Sequence, residues 1–492
     1  MKYIVALDQG TTSSRAILID SNGNLIDIKQ QEFNQIFPKQ GWVEHDPNEI
    51  LNSQLNVFDS LINSNSIDPK NIISVGITNQ RETTVLWDKN TGKPLYNAIV
   101  WQDKRTSDIC EKIKLDGLEK YIKENTGLVV DSYFSATKIK WIIDNIEGVK
   151  RKVRLNQVMA GTIDSWLIYN FSNFKSHLTD HTNASRTMLY NIRDLSWDKK
   201  ILDYLEIPES ILPKVKSSAS SFGYLHYKGA NIPITGVAGD QQSALFGQAC
   251  FDVGTMKNTY GTGCFLLMNI GDKFKLSKNG LLTTIACTTK NSINYAFEGS
   301  VFIGGAAIQW LRDSLKLIKK ASETEKISKE IDELNNLYMV PSFSGLGAPY
   351  WDMYSRGAIF GLTRDTGNKE IIKATLESLA YQSKDVIDVM IKDSKTNLNS
   401  LSVDGGACLN NYLMQFQSNL LGCEVVRPKI IETTAMGVGY LAGIKSSLWD
   451  KDKIISNQKI DQVFKSKINR ETRKKMYSGW LKAIERTKNW LD

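Results

Sequence analysis

Short apolar runs alternate with longer stretches of mixed polarity along this chain. The clearest runs cover residues 3–7, 73–77 and 85–87, and they are rich in the aliphatic and aromatic residues that favour strands. Residues 385–391 and 471–491 show instead the spacing of amphipathic helices. Strands and helices in alternation are typical of α/β proteins, so the pattern predicts an α/β fold.

Two predicted strand pairs have similar polar turns, and they lie in different halves of the chain. Residues 3–7 and 16–19 form the first pair, with the polar segment 8–15 between them. Residues 257–260 and 265–269 form the second pair, joined by a turn with two glycines. This duplication predicts two related halves rather than an array of short repeats.

The segment between the two halves ends in a carboxylate. Residues 234–240 have the composition of a strand, and Asp240 is the last of them. We expect the domain boundary near residue 250, after this strand. The predicted domains are therefore residues 1–250 and 251–492.

The first turn has the composition of a phosphate-binding loop. A glycine lets backbone N–H groups approach a phosphate, and the hydroxyls that follow add further donors: Gly10, Thr11, Thr12 and Ser13. Asp8 ends the strand and is placed to hold Mg²⁺, directly or through water. No Gly-Lys-Ser/Thr sequence follows, so this is not a Walker A loop. An ordinary turn is the alternative interpretation.

Two later segments complete a set of three phosphate and nucleotide motifs. The turn at Gly261, Thr262 and Gly263 matches the first turn, and the two hairpins could grip a phosphate chain from both sides. Residues 403–411 run from a strand through a glycine pair into a helix, where a base or ribose could approach the backbone. The alternative for this segment is a strand-to-helix turn with Asn410 as the N-cap.

A polar segment interrupts two apolar strands at residues 79–84. It contains Arg81 beside Glu82, and burying either charge unpaired would be expensive. One interpretation is a structural salt bridge. The other is a paired donor and acceptor for the vicinal hydroxyls of a polyol, an arrangement that rejects substrates lacking a hydroxyl.

The order of the three motifs resembles the superfamily of actin, heat-shock chaperone ATPases and sugar kinases. Residues 133–141, and residues 357–362 with 370–377, are similar to two signatures of the FGGY family of carbohydrate kinases. Within that family, five segments are similar to the glycerol kinases: residues 79–84, 97–102, 182–187, 238–242 and 341–352. The resemblance implies two ribonuclease-H-like domains with an ATP and substrate cleft between them. It also implies ATP-dependent phosphorylation of glycerol to sn-glycerol 3-phosphate.

The resemblance further implies two sets of site residues. Carried over by motif, the glycerol-binding residues are Arg81, Glu82, Trp101, Tyr133, Asp240, Gln241 and Phe265. The nucleotide-binding residues are Thr11, Thr12, Ser13, Arg15, Thr262, Gly305, Gln309, Gly406 and Asn410. A primary alcohol is a poor nucleophile, so a carboxylate is the expected general base, and Asp240 is our choice. The implied cofactors are ATP and Mg²⁺.

Two other functions stay open from the sequence. Another kinase of the same family would act on a pentulose such as xylulose or ribulose, or on gluconate. An ATPase like actin or a heat-shock chaperone would lack a polyol site. The Arg81-Glu82 pair and Trp101 favour glycerol.

Histidines add one regulatory hypothesis and one weak metal pattern. His226 is predicted in a loop similar to the loop that some Gram-positive relatives present for phosphorylation by the phosphotransferase carrier HPr. An ordinary loop histidine is the alternative. The glycine-rich basic loop that binds fructose 1,6-bisphosphate in enteric relatives is missing from this sequence. His177 and His181 are spaced like zinc ligands, but the glutamate of that motif is missing and the threonines nearby favour a strand.

Composition bears on the compartment of the protein and on whether it binds nucleic acid or inserts into a membrane. The net charge of +8 comes from lysines spread along the chain beside acids, which favours a solvated surface over a nucleic-acid site. Six cysteines without a CxxC pair are typical of a reduced compartment. The chain shows no pattern of a signal peptide and no apolar run long enough to span a bilayer. We expect a cytoplasmic protein without membrane insertion, and the family resemblance implies a homodimer or homotetramer.

Overall fold

The computed structural model describes residues 2–289, 292–331 and 336–491. Two large mixed β-sheets, each flanked by helices, form the body of the molecule, and a four-stranded sheet lies beside the first. The prediction of an α/β fold is confirmed.

The first half contains fourteen strands and nine helices within the described residues. The strands are β1 (Tyr3–Gln9), β2 (Ser13–Asp20), β3 (Leu25–Glu32), β4 (Glu44–His45), β5 (Ile72–Asn79), β6 (Thr84–Asp88), β7 (Ala98–Ile99), β8 (Val158–Thr162), β9 (Leu178–Asp180), β10 (Tyr190–Asn191), β11 (Ser196–Trp197), β12 (Lys214–Lys216), β13 (Tyr224–Tyr227) and β14 (Ala230–Gly239). The helices are α1 (Pro47–Ser64), α2 (Ser107–Leu115), α3 (Glu119–Thr126), α4 (Ser135–Asn145), α5 (Val149–Arg154), α6 (Ile163–Phe171), α7 (His181–Ala184), α8 (Lys199–Leu205) and α9 (Asp240–Gly247).

The second half continues the numbering. Its strands are β15 (Met256–Tyr260), β16 (Cys264–Gly271), β17 (Leu282–Ile285), β18 (Tyr295–Val301), β19 (Tyr338–Val340), β20 (Ala358–Phe360), β21 (Ser400–Asp404), β22 (Glu424–Pro428) and β23 (Ile460–Phe464). Its helices are α10 (Gly305–Asp313), α11 (Glu323–Lys329), α12 (Asn368–Ser394), α13 (Asn411–Leu421), α14 (Thr433–Lys445), α15 (Lys451–Asn457) and α16 (Arg470–Thr487).

The two large sheets repeat one topology. The first sheet has the order β13-β14-β5-β1-β2-β3, and the second has the order β17-β18-β16-β15-β21-β22-β23. In the first, β3, β2 and β1 are antiparallel neighbours, and β5 and β14 then follow in parallel. In the second, β18, β16 and β15 are antiparallel, and β21 and β22 follow in parallel. The prediction of two related halves therefore corresponds to a real structural repeat.

The central strands β1, β5 and β14 of the first sheet are largely buried, which explains their nearly continuous apolar sequences. Val5 and Leu7 of β1 belong to the core that includes α1, whereas Ile4 and Ala6 belong to the core that includes α14. Gly76 of β5 allows this second contact, because a Cβ there would lie 2.4 Å from the carbonyl oxygen of Val438. A helix from the second half of the sequence thus completes the core of the first sheet.

The predicted boundary near residue 250 falls between α9 and β15. Helix α14 lies in the second half of the sequence but packs on α9 and on the first sheet. A single boundary near residue 250 therefore does not divide the packing contacts into two separate sets. The two-domain division stays a prediction.

Most predicted elements around the site are confirmed. β1, β2, β15 and β16 form the two expected hairpins, but β1 and β2 extend so far that the first turn contains only residues 10–12. β14 ends immediately before Asp240, as expected. The last helix ends at Thr487, so its predicted extension to residue 491 is wrong.

His226 lies in a strand rather than in the predicted loop. It belongs to β13, the edge strand of the first sheet, which pairs with β14 in an antiparallel hairpin.

Across the described ranges, the structure contains no helix that is both long and apolar enough to cross a membrane.

Candidate active site

The first hairpin brings a carboxylate and a guanidinium together. Asp8 and Arg15 face each other in the register of β1 and β2, and Arg15 Nη1 lies 3.3 Å from Asp8 Oδ2. Arg15 also forms an ion pair with Glu432, the residue before α14. Burial raises the pKa of Asp8 to about 6; Arg15 opposes this shift, while Glu432 and Asp240 add to it.

The turn of this hairpin carries three hydroxyl side chains, which are exposed or half-buried. Gly10 N donates to Ser13 O at 2.9 Å and closes the turn. Thr11 Oγ1 accepts a hydrogen bond of 3.0 Å from Trp101 Nε1, and Ser13 Oγ accepts one of 3.0 Å from Gln30. Thr12 is exposed. Contact between this turn and a phosphate stays a prediction.

The second hairpin packs against the start of α10. The backbone N–H groups of Gly304 and Ala306 donate to Thr262 O at 2.9 and 3.0 Å, and Gly305 N donates to Gly261 O at 2.9 Å. Gly305 is the first residue of α10, and Gln309 lies exposed about one turn further along. The second hairpin and α10 thus form one hydrogen-bonded unit, which contains three of the predicted nucleotide residues: Thr262, Gly305 and Gln309.

The glycine pair of the third motif lies against the same hairpin. Gly405 has φ of +82°, and a Cβ there would come within 2.6 Å of Tyr260 O, at the end of β15. A Cβ on Gly406 would have no described atom within 4 Å, so that backbone faces open space. Asn410 caps α13 by accepting from Leu413 N at 3.0 Å, which confirms the capping interpretation. Its contact with nucleotide stays a prediction.

The predicted polyol residues Arg81 and Glu82 are both buried. Arg81 Nε lies 3.1 Å from Asp240 Oδ1, and the two terminal nitrogens of Arg81 donate to Glu298 at 2.6 and 2.8 Å. Glu82 Oε1 accepts from Arg186 Nε at 2.6 Å. Glu82 has φ of +62°, a conformation that is unfavourable for a residue with a Cβ. The ion pairs hold that strained backbone in place.

Glu298 and Arg186 are functional candidates that the sequence reasoning missed. Burial raises the pKa of Glu298, but Arg186 and Arg81 outweigh burial and lower it to about 2. Two arginines and two glutamates thus form a buried cluster without net charge. The sequence did contain a signal, because Glu298 is the only charged residue in the completely buried strand β18.

Three aromatic side chains from separate segments, Trp101, Tyr133 and Phe265, form one cluster. The ring centroid of Trp101 lies 5.6 Å from that of Tyr133 and 6.3 Å from that of Phe265. Phe265 belongs to the second hairpin, whereas Trp101 donates to Thr11 of the first hairpin. Trp101 therefore connects both hairpins to the predicted polyol site.

Gln241 and a buried lysine complete this site. Gln241 Nε2 donates to Asp240 Oδ2 at 3.2 Å. Lys257 is fully buried, and its ammonium donates to Gln241 Oε1, to Thr259 Oγ1 at 2.7 Å and to Phe265 O at 3.2 Å. Burial lowers the pKa of Lys257 to about 8. The sequence reasoning placed Lys257 at the start of the predicted strand 257–260 but assigned it no role in the site. A fully buried lysine is an unusual feature that only the structure reveals.

No cluster of three or more His, Cys, Asp or Glu side chains suited to a metal occurs in the part of the chain that the structure describes. Asp8 is a single carboxylate beside several hydroxyls, a donor set suited to Mg²⁺ that is also held by substrate phosphates. His177 and His181 bond in different directions, to Ala160 O and to the hydroxyl of Tyr190. Their spacing does not produce a zinc site.

His226 lies apart from these contacts in the first sheet. It is half-buried, and its Nδ1 is 2.6 Å from Asn231 Oδ1 across the β13–β14 hairpin. Its phosphorylation by a carrier protein stays a prediction.

Comparison with known proteins agrees with this geometry. The chain matches the N-terminal domain model of the FGGY family of carbohydrate kinases over residues 3–247 and the C-terminal domain model over residues 256–446. It is 58% identical to a glycerol kinase of Fusobacterium nucleatum over 100% of both chains, and 55% identical to one of Clostridium perfringens over 99% of both.

Solved structures show the same fold. The crystal structure of Plasmodium falciparum glycerol kinase with ADP is 38% identical, with a TM-score of 0.93 over 99% of this chain and 98% of that one. A xylulose kinase from Lactobacillus acidophilus has a TM-score of 0.87 at 22% identity, covering 99% of this chain and 98% of that one, which shows a shared fold. The chain belongs to the FGGY family of carbohydrate kinases.

Proposed function

We propose that this protein transfers the γ-phosphoryl group of ATP to glycerol, giving sn-glycerol 3-phosphate and ADP. The main support is a connected set of contacts: Arg81 Nε lies 3.1 Å from Asp240 Oδ1, and Trp101 N donates to Thr83 Oγ1, two residues after Arg81, at 3.2 Å. The Trp101 side chain also contacts Thr11 of the first hairpin and Phe265 of the second. Similarity over the full chain to proteins named glycerol kinase favours glycerol over other polyols. The structure of one such relative contains ADP.

The polyol site suits a small molecule with several hydroxyls. Arg81 and Glu82 supply a donor and an acceptor, and their positions are fixed by buried ion pairs. The rings of Trp101, Tyr133 and Phe265 would cover the carbon atoms. Since a buried polar site left without its partner hydroxyl is costly, this arrangement would discriminate strongly in favour of polyols.

Asp240 is the proposed general base. Its side chain is 29% exposed, in contrast to the buried Arg81 beside it, so a bound alcohol can reach the carboxylate. Arg81 Nε and the side-chain amide of Gln241 each contact one of its two oxygens, which fixes the orientation of the carboxylate. A proton from the attacking hydroxyl would pass to Asp240 as the hydroxyl oxygen bonds to the γ-phosphorus, and the bond from that phosphorus to the bridging oxygen would break, with ADP leaving.

The proposed nucleotide site uses the three motifs together. Its residues are Thr11, Thr12, Ser13, Arg15, Thr262, Gly305, Gln309, Gly406 and Asn410. Asp8 would hold Mg²⁺, and the bound ion would neutralise charge on the β- and γ-phosphates. Arg15 lies beside Asp8 and would add a second positive charge there. We propose that the domains of residues 1–250 and 251–492 close over the nucleotide and exclude water.

A coupled assay of ADP release with a panel of polyols tests this function. We expect turnover with glycerol to exceed turnover with xylulose, ribulose and gluconate, and to require Mg²⁺. Faster turnover of a pentulose or of gluconate would overturn the assignment of glycerol. ATP hydrolysis without any polyol, unchanged in Arg81→Ala, would favour the ATPase alternative.

Regulation and assembly are separate proposals. We propose that His226 accepts a phosphoryl group from HPr, because its segment resembles a loop with that role in relatives. Incubation with phosphorylated HPr should raise turnover in the wild type and not in His226→Ala. We also propose a homodimer or homotetramer, which light scattering would distinguish from a monomer.

A further inference from the structure

The buried ammonium of Lys257 connects β15 of the second sheet to α9, the helix that begins with the proposed general base Asp240. Lys257 projects from β15 of the second sheet, and Gln241 lies in the first turn of α9, which follows β14 of the first sheet. Lys257 Nζ donates to Gln241 Oε1, Thr259 Oγ1 and Phe265 O. Since an ammonium has three N–H groups, these three acceptors use all of its donors.

The chemistry of lysine decides which way the Gln241 amide points. A side-chain amide has an oxygen end and an NH₂ end, and either end can face a given neighbour. An ammonium can only donate, so it requires the oxygen end. The NH₂ end is then turned toward Asp240, where Gln241 Nε2 lies 3.2 Å from Asp240 Oδ2. A carboxylate can only accept, so both contacts demand the same orientation of the amide.

The hydrogen bonds therefore form a chain that ends on the reacting carboxylate. Lys257 contacts Gln241, Gln241 contacts Asp240 Oδ2, and Arg81 Nε contacts Asp240 Oδ1 at 3.1 Å. Without the ammonium, the amide could turn its oxygen toward Asp240. Two oxygens that carry negative charge would then face each other, and the carboxylate would lose a donor.

We propose that Lys257 is a positioning residue for phosphoryl transfer, which acts by holding the Gln241 amide with its N–H groups on Asp240. This inference rests on the proposed function, since it assigns the general base to Asp240. Lys257 itself does not contact the reacting atoms. Its other two hydrogen bonds, to Thr259 Oγ1 and Phe265 O, stay within the second hairpin, so of the three bonds the one to Gln241 joins that hairpin to α9.

A double-mutant cycle on Lys257 and Gln241 tests the proposal. Lys257→Met keeps the length of the side chain and removes its donors. We expect kcat to fall about 10–100-fold, with KM for ATP changed by less than about 3-fold. Gln241→Met should give a similar loss of kcat. If the two residues act through one contact, kcat of the double variant should be less than about 3-fold below kcat of the less active single variant. Losses that multiply would overturn the proposal.

Gln241→Glu separates the two ends of the amide. It keeps an acceptor for Lys257 but removes the N–H groups that face Asp240. We expect kcat to fall at least as much as in Gln241→Met, because a second carboxylate would then face the base. Wild-type kcat in Gln241→Glu would overturn the proposal. This variant retains the buried lysine, so it gives a result even if Lys257→Met does not fold.

Thr259→Val is the matched control. It removes another acceptor of the same ammonium without touching Gln241, and we expect kcat within about 3-fold of the wild type. A loss as large as that of Lys257→Met would place the effect in the second hairpin and reject a role through Gln241.

Turnover by the wild type distinguishes a failure of the Lys257 proposal from a failure of the proposed function. The cycle is measured with whichever polyol the wild type phosphorylates fastest, so a preference for another polyol would reject glycerol and still test Lys257. No turnover of any polyol by the wild type would reject both.

Discussion

Trp101 Nε1 donates a 3.0 Å hydrogen bond to Thr11 Oγ1, and this contact links the polyol site to the first phosphate hairpin. The two residues come from segments with no local connection in sequence, yet one lies over the proposed substrate and the other beside the proposed phosphate. The position of the indole ring therefore depends on the position of the phosphate turn.

Trp101→Phe should weaken this link while keeping an aromatic ring over the substrate carbons. A hydrogen bond of this kind contributes about 0.5–1.5 kcal/mol, so we expect kcat/KM for glycerol to fall about 3–10-fold. Thr11→Val removes the same bond from the other side. Steady-state kinetics at varied glycerol and ATP would check both variants. An unchanged kcat/KM in Trp101→Phe would mean that the contact does not matter for catalysis.

Asp240→Asn should nearly abolish turnover. The amide cannot take a proton from the alcohol, and general-base catalysis accounts for about 10²–10⁴-fold in rate. Asp240 does not belong to the proposed nucleotide site, so the Kd for ADP measured by calorimetry should stay within about 3-fold of the wild type. Wild-type kcat in this variant would reject Asp240 as the base.

Glu298→Gln should destabilise the protein strongly. The change leaves Arg81 and Arg186 buried with one carboxylate fewer, and breaking a buried ion pair in this way costs about 3–5 kcal/mol. Urea unfolding followed by circular dichroism would measure the loss. Glu330→Gln is the control, since Glu330 pairs with Lys369 at the exposed surface, where solvent screens the pair, and the free energy of unfolding should hardly change. Equal effects of the two substitutions would contradict the importance of the buried cluster.

Asp385 should make the stability of the second half depend on pH. Its carboxylate is buried on α12 and accepts from Tyr477 at 2.7 Å and from Trp480 at 2.8 Å, both on α16. Burial raises the pKa of Asp385 from 3.8 to about 7, although hydrogen bonds from those side chains oppose the shift. The folded state therefore binds a proton more tightly than the unfolded state, so stability rises as the pH falls through 7 toward 4.

Comparison with Asp385→Asn isolates this contribution. Between pH 8 and pH 5, the wild type should gain about 2–3 kcal/mol relative to the variant, in which residue 385 does not titrate. Urea unfolding of both proteins at the two pH values would measure the difference. The same free-energy difference at both values would show that Asp385 is not protonated on folding in this range.

Local sequence was sufficient for the elements that carry the site. The two hairpins follow from apolar strands around small polar turns, which are properties of neighbouring residues. The cap at Asn410 and the position of Asp240 at the end of a strand follow from equally short patterns. The strand at His226 was missed, because an edge strand with one exposed side lacks a strong apolar signal.

Tertiary structure alone determined which side chains contact each charged group of the site. Arg81 pairs chiefly with Glu298, and the Lys257 ammonium donates to the neutral side chain of Gln241 on α9. Arg15 pairs with Glu432, which stands near the other end of the sequence. No local pattern predicts such pairs, because they exist only once the two sheets and α14 have packed together. Sequence was sufficient to predict which residues carry the proposed chemistry, whereas packing determined which charged groups surround them and therefore how each side chain is oriented.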